Sequence, residues 1–133
     1  MNNLTAWAPR LLAVLRIVTA LLFLEHATMK FFLFPAAIVG VPYPLPTIEI
    51  IAGLIEAVTG TLMLVGLFTR TAAFIASGEM AVAYFLVHNH ISVWPTLNQG
   101  EVAILFCFIF LYLVASGPGS WSLERAYRST ASF

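Results

Sequence analysis

This 133-residue chain has few of the charged residues that cover the surface of a soluble protein. Charged residues make up 9% of the sequence and hydrophobic residues 61%, and the mean hydropathy is +0.96. All six acidic residues are glutamates, and six basic residues balance them to zero net charge. No basic surface is therefore indicated, and we expect no nucleic-acid partner. The composition is typical of one small integral membrane domain over residues 1–133, with membrane lipid as its surroundings.

Cysteine and the short motifs of soluble enzymes are also scarce. Cys107 is the single cysteine, which excludes an internal disulfide, a CxxC redox pair and a cysteine metal site within one chain. The sequence contains no GxSxG elbow, no glycine-rich phosphate loop and no dinucleotide fingerprint. No catalytic residue is therefore assigned, no metal is predicted, and enzymatic activity stays an open question.

Four apolar runs predict four membrane-spanning helices, because about 20 apolar residues are enough to cross the hydrocarbon layer. The proline-rich loop 35–46 and the polar loop 89–100 contain no Lys or Arg. Four arginines lie at the opposite helix ends: Arg10, Arg70, Arg125 and Arg128. The positive-inside rule then places the N- and C-termini in the cytoplasm. We predict an all-α, integral membrane four-helix bundle, multi-pass in a bacterial-type inner (plasma) membrane. Its helices are expected at about residues 10–34, 47–67, 70–88 and 98–116, with a short C-terminal surface helix at about 121–128.

Ionisable residues interrupt these runs, and an intramembrane charge is a candidate functional site by default. Counting from the outer helix ends at about 1.5 Å per residue gives two polar layers in the outer half of the bundle. We expect them to line one pocket that exchanges protons. His26 is the best functional candidate, and Glu25 is expected to meet a neighbouring helix. The deep layer contains Glu25, His26, Glu56 and Glu79, and the shallow layer contains Lys30, Glu49 and Glu101.

Five further residues are predicted to be structural. Gly53 and Gly60 are small enough for close helix approach, here expected toward the third helix. Arg70 suits a cytoplasmic turn, and Asn98 suits the cap of the fourth helix. Tyr112 ends a stripe that begins at Glu101 and includes Leu105 and Phe108, and this stripe is predicted to face the bundle interior.

Several short motifs together resemble one family. They are LR (15–16), HxxxK (26–30), GLFTR (66–70), SGEMAVAYF (77–85), NxGE (98–101), FLYL (110–113) and GPGxWSL (117–123). Their combination is similar to the DoxX family over nearly the whole chain. The resemblance implies a four-helix inner-membrane protein linked to quinone-coupled sulfur oxidation or to complexes that handle thiol and oxidative stress. It implies a subunit associated with an oxidoreductase more than a self-sufficient enzyme, with a quinone as cofactor and with a homo-oligomer or another membrane protein as partner.

The polar layers allow three interpretations. They can be structural, because interhelical hydrogen bonds and ion pairs hold membrane bundles in register. They can form a proton or quinone site, because buried carboxylates beside a histidine resemble proton relays. A metal site of Glu and His is the weakest of the three, since the Glu-x-x-His spacing of di-iron bundles is absent. For the whole protein, the alternatives to an oxidoreductase subunit are a non-catalytic scaffold or assembly partner and a small proton-coupled transporter.

Overall fold

The computed structural model describes residues 2–130, and within that range the chain consists of helices and loops without a strand. The prediction of an all-α protein is confirmed. The elements are α1 (Asn2–Phe32), α2 (Thr47–Val65), α3 (Thr69–Ala83), α4 (Pro95–Asn98), α5 (Glu101–Ser116) and α6 (Leu123–Thr130). The α3 helix continues directly into one π-helical turn, Tyr84–His88.

Three of these helices are long and apolar enough to cross a membrane: α1, α2 and the continuous stretch Thr69–His88. The α5 helix is apolar but has only 16 residues. The α1 helix has 31 residues and starts further toward the N-terminus than expected, with Pro9 inside it. At 1.5 Å per residue it is about 46 Å long, so about 16 Å of it exceeds a hydrocarbon layer of about 30 Å.

The helices pack most closely in two pairs, α1 with α2 and α3 with α5, and α2 joins the pairs by contacting α3. Glycine explains the first pair, because a Cβ at Gly53 would come within 2.8 Å of the Phe31 ring and one at Gly60 within 2.8 Å of Leu24. The two glycines therefore allow α1 to pack closely against α2. The expectation that they face the third helix is wrong. On α3, small buried residues admit α5, and Ser77 Oγ donates to the Cys107 carbonyl at 2.8 Å.

The centre of the bundle is aromatic. The fully buried Phe23 of α1 packs against two rings of α5, with centroid distances of 5.5 Å to Phe106 and 4.8 Å to Phe110. In lipid, such helix association depends on close packing more than on transfer from water. These three rings therefore fix how α5 lies against α1.

The face of α5 that turns inward is not the predicted one. Leu105, Phe108 and Tyr112 are exposed, whereas Ala103, Phe106, Phe110 and Leu113 are buried. The prediction that the stripe from Glu101 to Tyr112 faces the interior is wrong. The α5 helix is apolar on all sides, so hydrophobic periodicity alone does not distinguish its buried face.

Candidate functional site

One end of the bundle is organised by Arg16, a side chain with no exposed surface. Its Nη1 donates to the Met63 carbonyl at 2.5 Å and to the Leu64 carbonyl at 2.9 Å, in the last turn of α2. Its Nε and Nη2 donate to the carbonyls of Pro118 and Trp121 at 2.9 and 2.8 Å. Carbonyls at a helix C-terminus have no intrahelical partner, and a cation suits that end of the helix dipole. Arg16 therefore ties α1, the end of α2 and the chain after α5 together.

Side chains also bond the free backbone groups at the end of α5 and at the start of α3. Arg70 Nη1 donates to the Val114 and Ala115 carbonyls at 2.5 and 2.7 Å, which caps the end of α5. Glu124 Oε1 accepts the Thr69 N–H at 2.6 Å, which caps the start of α3. We call Arg16, Arg70, Thr69 and Glu124 the arginine hub. Arg70, expected only to mark a cytoplasmic turn, is also a helix cap.

Gly66 is required at the hub for steric reasons. It ends α2 with φ of +71°, a conformation that favours glycine. An added Cβ would lie 2.5 Å from Ser122 Cβ and 2.8 Å from Arg16 Nη1. The motifs LR, GLFTR and GPGxWSL meet here, where their residues cap helix ends, bond loop carbonyls or allow close approach.

The opposite end of the bundle holds a second buried cation, Lys30, which is 6% exposed. Its Nζ lies 2.6 Å from Glu56 Oε1 and 3.4 Å from Glu49 Oε2. Glu56 is 2% exposed. Glu79 of α3 lies within electrostatic range of all three residues. We call Lys30, Glu49, Glu56 and Glu79 the lysine cluster.

Helix geometry explains why Lys30 and Glu56 are in contact although they were predicted to lie at different depths in the bundle. A Cα–Cβ bond tilts toward the N-terminus of its own helix. The Lys30 side chain therefore points from the C-terminal end of α1 back along the bundle, whereas Glu56 of the antiparallel α2 points toward that end of α1. The predicted deep and shallow layers are thus joined by one ion pair, and Lys30 is bonded to members of both.

The lysine cluster has more acceptors than donors. Lys30 pairs with two carboxylates, Glu56 and Glu49, while Glu56 Oε2 and Glu79 Oε2 are buried without a hydrogen-bond partner. Buried polar atoms without partners are rare and costly in proteins, and they call for a physical explanation such as a ligand, a water or a proton. Within residues 2–130, no three His, Cys, Asp or Glu side chains are grouped so that they could hold a metal ion.

A cleft of about 340 Å³ opens beside the cluster. The loop between α1 and α2 forms one side of it and is fastened to the end of α1. Thr28 Oγ1 donates to the Phe34 carbonyl at 2.9 Å, and Tyr43 Oη donates to the Met29 carbonyl at 3.2 Å. Lys30 contributes to the wall, so the cleft reaches the cluster. Its lining consists of Lys30, Phe31, Leu33, Tyr43, Leu45 and Ile50.

Three predicted pocket residues lie outside the cluster. His26 is half-buried; its Nδ1 lies 3.2 Å from the Leu22 carbonyl, and its ring meets the edge of Phe106 at 5.8 Å. Glu25 and Glu101 are exposed. The expectation that Glu25 meets a neighbouring helix is wrong for this chain, and Glu101 does not complete the pocket.

The NxGE box organises the loop before α5. Asn98 Oδ1 accepts the Gly100 N–H at 2.7 Å, and its Nδ2 donates to the Ser92 carbonyl at 2.7 Å. Its own carbonyl lies 2.9 Å from His88 Nδ1. A Cβ at Gly100 would come within 2.6 Å of the Tyr84 ring. Asn98 thus has a structural role, although α5 begins after Gly100 and Asn98 is not its N-cap.

Comparison with known proteins adds the family. The sequence profile of the DoxX family matches residues 11–89. A protein of Haemophilus influenzae named as uncharacterized is 44% identical over 134 residues, covering 96% of this chain and 98% of that protein. A protein of Mycobacterium tuberculosis described as an uncharacterized membrane protein is 29% identical over 145 residues, covering 96% of this chain and 89% of that protein. No solved structure matches the chain.

Proposed function

Because this chain belongs to the DoxX family of membrane proteins, we propose that its lysine cluster is a proton-exchange site beside a cleft that binds a quinone-like ligand. The protein would act as a subunit of an oxidoreductase or thiol-stress complex in the bacterial inner membrane, in a homo-oligomer or with another membrane protein. The observation that carries the proposal is the pair of buried, unpartnered carboxylate oxygens, Glu56 Oε2 and Glu79 Oε2.

The cleft fits the chemistry of such a ligand. Its volume of about 340 Å³ lies within the range of about 300–1,000 Å³ typical of small-molecule sites. Phe31, Leu33 and Ile50 supply apolar walls for a ring and its hydrophobic substituent, and Tyr43 adds a phenol. Lys30 is the one charged residue of the lining, and an ammonium group has three N–H donors.

Each polar residue then has a distinct task. The Lys30 ammonium directs two of its N–H groups toward Glu56 and Glu49. Its third N–H group can donate to a carbonyl oxygen of a ligand in the cleft. Glu56 Oε2 and Glu79 Oε2 can each hold a proton without breaking a hydrogen bond present in the structure. When bound, a quinone supplies two-electron, two-proton redox chemistry, and its electrons would come from the partner oxidoreductase. The cluster supplies or accepts protons at the carboxyl oxygens.

The test is ligand-dependent stability of the purified protein. Short-chain ubiquinone and menaquinone analogues are titrated against the protein in mild detergent while its unfolding is followed, and small molecules carried through purification are identified by mass spectrometry. At a concentration 100 times the Kd, a ligand stabilises the folded state by about 2.7 kcal/mol. We expect this effect in the wild type and in Glu101→Gln, and a loss of at least tenfold in affinity in Lys30→Met and Glu79→Gln. No effect of either quinone class on the wild type would refute the proposal.

A scaffold without chemistry of its own is the second candidate. It is favoured by one specific observation: both ion pairs of Lys30 join α1 to α2, so the cluster also locks two helices together. In that case Glu79→Gln would leave the recovery of the partner complex and its turnover unchanged, whereas Lys30→Met would lower recovery alone. Loss of turnover per recovered complex in Glu79→Gln would favour the proton-exchange site instead.

A further inference from the structure

The last helix, α6, has an apolar side that residues 2–130 leave exposed. At about 100° per residue, Leu123, Ala126 and Tyr127 share one side of the helix, whereas Arg125 and Arg128 lie on the other. Leu123 is 43% exposed and Tyr127 66% exposed. A helix with this division of residues is typical of one that lies in the plane of a membrane interface.

The position of α6 is fixed by the arginine hub. Ser122 Oγ accepts the Arg125 N–H at 3.3 Å and caps the start of the helix. The Glu124 N–H donates to the Gly66 carbonyl at 3.1 Å, while its carboxylate is occupied by Thr69. The acidic residue of α6 is thus used internally, and its basic side is left toward the surroundings.

Aromatic and basic residues of α1 extend the same end of the molecule. The Pro9 carbonyl accepts the Ser120 N–H at 2.9 Å, which places this part of α1 beside the chain that leads into α6. The Arg10 guanidinium lies 5.0 Å from the centre of the Trp7 ring, and both residues are exposed. Trp121 is also exposed. Indole rings beside cations are typical of the boundary between acyl chains and headgroups.

We propose that α6, Trp121 and the Trp7–Arg10 segment of α1 form a surface that binds the headgroups of anionic phospholipids. Leu123, Tyr127 and the tryptophans rest at the acyl boundary, and Arg10 and Arg125 meet lipid phosphates. This surface is independent of the cleft at the opposite end of the bundle.

Charge complementarity selects lipid over a second copy of the chain as the occupant. The same surface of another copy would present arginines to arginines. The exposed carboxylates Glu25 and Glu101 lie toward the opposite ends of α1 and α5, where a copy in the same membrane orientation cannot bring them to this surface. Within residues 2–130, the Arg125 guanidinium has no hydrogen bond or ion pair, so it is available to a phosphate group.

The test measures which lipids the full chain retains. Detergent-solubilised protein is equilibrated with equal amounts of phosphatidylglycerol and phosphatidylcholine, and the ratio of bound lipids is measured by native mass spectrometry. Each basic residue near an anionic surface contributes about 1 kcal/mol, which is about fivefold in binding. We expect the ratio to fall about fivefold in Arg10→Gln or Arg125→Gln and about 25-fold in the double variant.

Two controls separate charge from folding and from self-association. Arg125→Lys keeps the charge and should stay within about twofold of the wild type, and Glu101→Gln, at the opposite end, should not change the ratio. Equal binding of both lipids by the wild type, or an unchanged ratio in the double variant, would overturn the proposal. A change of oligomeric state in Arg125→Gln without a change in lipid ratio would likewise overturn it and assign the surface to a second copy.

Discussion

The two ends of the molecule each bury one cation, and they treat it in opposite ways. Arg16 donates to four neutral backbone carbonyls, two in the last turn of α2 and two in the loop between α5 and α6. Lys30 lies between two glutamates, which are charged and able to take protons. At the arginine hub, the buried side-chain atom without a partner is the uncharged Thr69 Oγ1, whereas at the lysine cluster two carboxylate oxygens lack partners.

This difference separates structure from candidate chemistry. A guanidinium bonded to helix-end carbonyls has a fixed geometry and no proton to exchange at ordinary pH. In the proposed function, the Lys30 ammonium, which is paired with two carboxylates, can change its partners when a ligand binds. An open cleft lies beside the lysine cluster. Ionisable residues inside apolar helices therefore hold helices together at the arginine hub, whereas at the lysine cluster they leave buried oxygens without hydrogen-bond partners.

The largest effect is expected at the hub. Arg16→Met would leave four carbonyls without their side-chain donor and should lower the free energy of unfolding by about 3–5 kcal/mol. Arg16→Lys should lose about half as much, because one ammonium cannot reproduce the spread of the guanidinium. Reversible unfolding in mixed micelles measures both, with the exposed Arg10→Lys as control. Equal stability of Arg16→Met and the control would remove the distinction between a structural and a chemical end.

The lysine end should show a smaller cost with strong coupling. Lys30→Met leaves buried carboxylates uncompensated and should cost about 3 kcal/mol. Adding Glu56→Gln removes the closest of these charges, so the double variant should recover at least about 1 kcal/mol relative to Lys30→Met. A double-mutant cycle by the same unfolding method gives the coupling energy. Strictly additive effects would show that the 2.6 Å contact contributes nothing specific.

Glycine substitution tests whether the α1–α2 contact holds the cluster together. Gly60→Ala brings a Cβ to within 2.8 Å of Leu24, and overpacking of this kind should cost about 1–3 kcal/mol. Gly53→Ala should cost a similar amount and should also weaken quinone binding, because its Cβ would lie 3.2 Å from Lys30 Cδ.

Gly78→Ala is the matched control, since nothing lies within 4 Å of its added Cβ. Alanine is favoured over glycine in a helix, so this variant should be neutral or more stable by about 0.5–1 kcal/mol. A loss of stability in Gly78→Ala equal to that in Gly60→Ala would mean that helix propensity, and not the approach of α1, governs the effect.

The helices were predictable from the sequence because long apolar runs predict them and the loops bound them, although α5 has only 16 residues and α1 extends to Asn2. Rotation of the helices about their axes was harder to predict. The α2 glycines correctly indicated a close approach, but nothing in their spacing distinguishes α1 from α3 as the partner. On α5 the polar residue at its start suggested an inner stripe, yet aromatic packing at Phe106 and Phe110 selects another face. The count of four spanning helices and the cytoplasmic placement of the termini stay predictions.

All four residues of the lysine cluster were predicted from the sequence, but so were His26, Glu25 and Glu101, which lie outside it. Lys30, Glu56 and Glu79 were identified because each is ionisable within an apolar run. Lys30 was assigned to the shallow layer and its partner Glu56 to the deep layer because depth was counted at Cα positions, whereas side chains on antiparallel helices tilt toward each other. The role of Arg16 was missed altogether. Its signal was the joint occurrence of an arginine inside an apolar run and two glycine-containing helix ends that need donors, GLFTR and GPGxWSL.

The smallest effect is expected at Glu101, which shares an end of the bundle with the lysine cluster but is exposed. Its carboxylate lies in the first turn of α5, where it favours the helix dipole by about 0.3–1 kcal/mol. Glu101→Gln should therefore lower the free energy of unfolding by no more than that and should leave quinone-dependent stabilisation unchanged. If Glu101→Gln instead reduced quinone affinity as much as Glu79→Gln, the functional boundary would extend beyond the four residues of the lysine cluster. The candidate site at the lysine end would then include the face of α5 that carries Glu101.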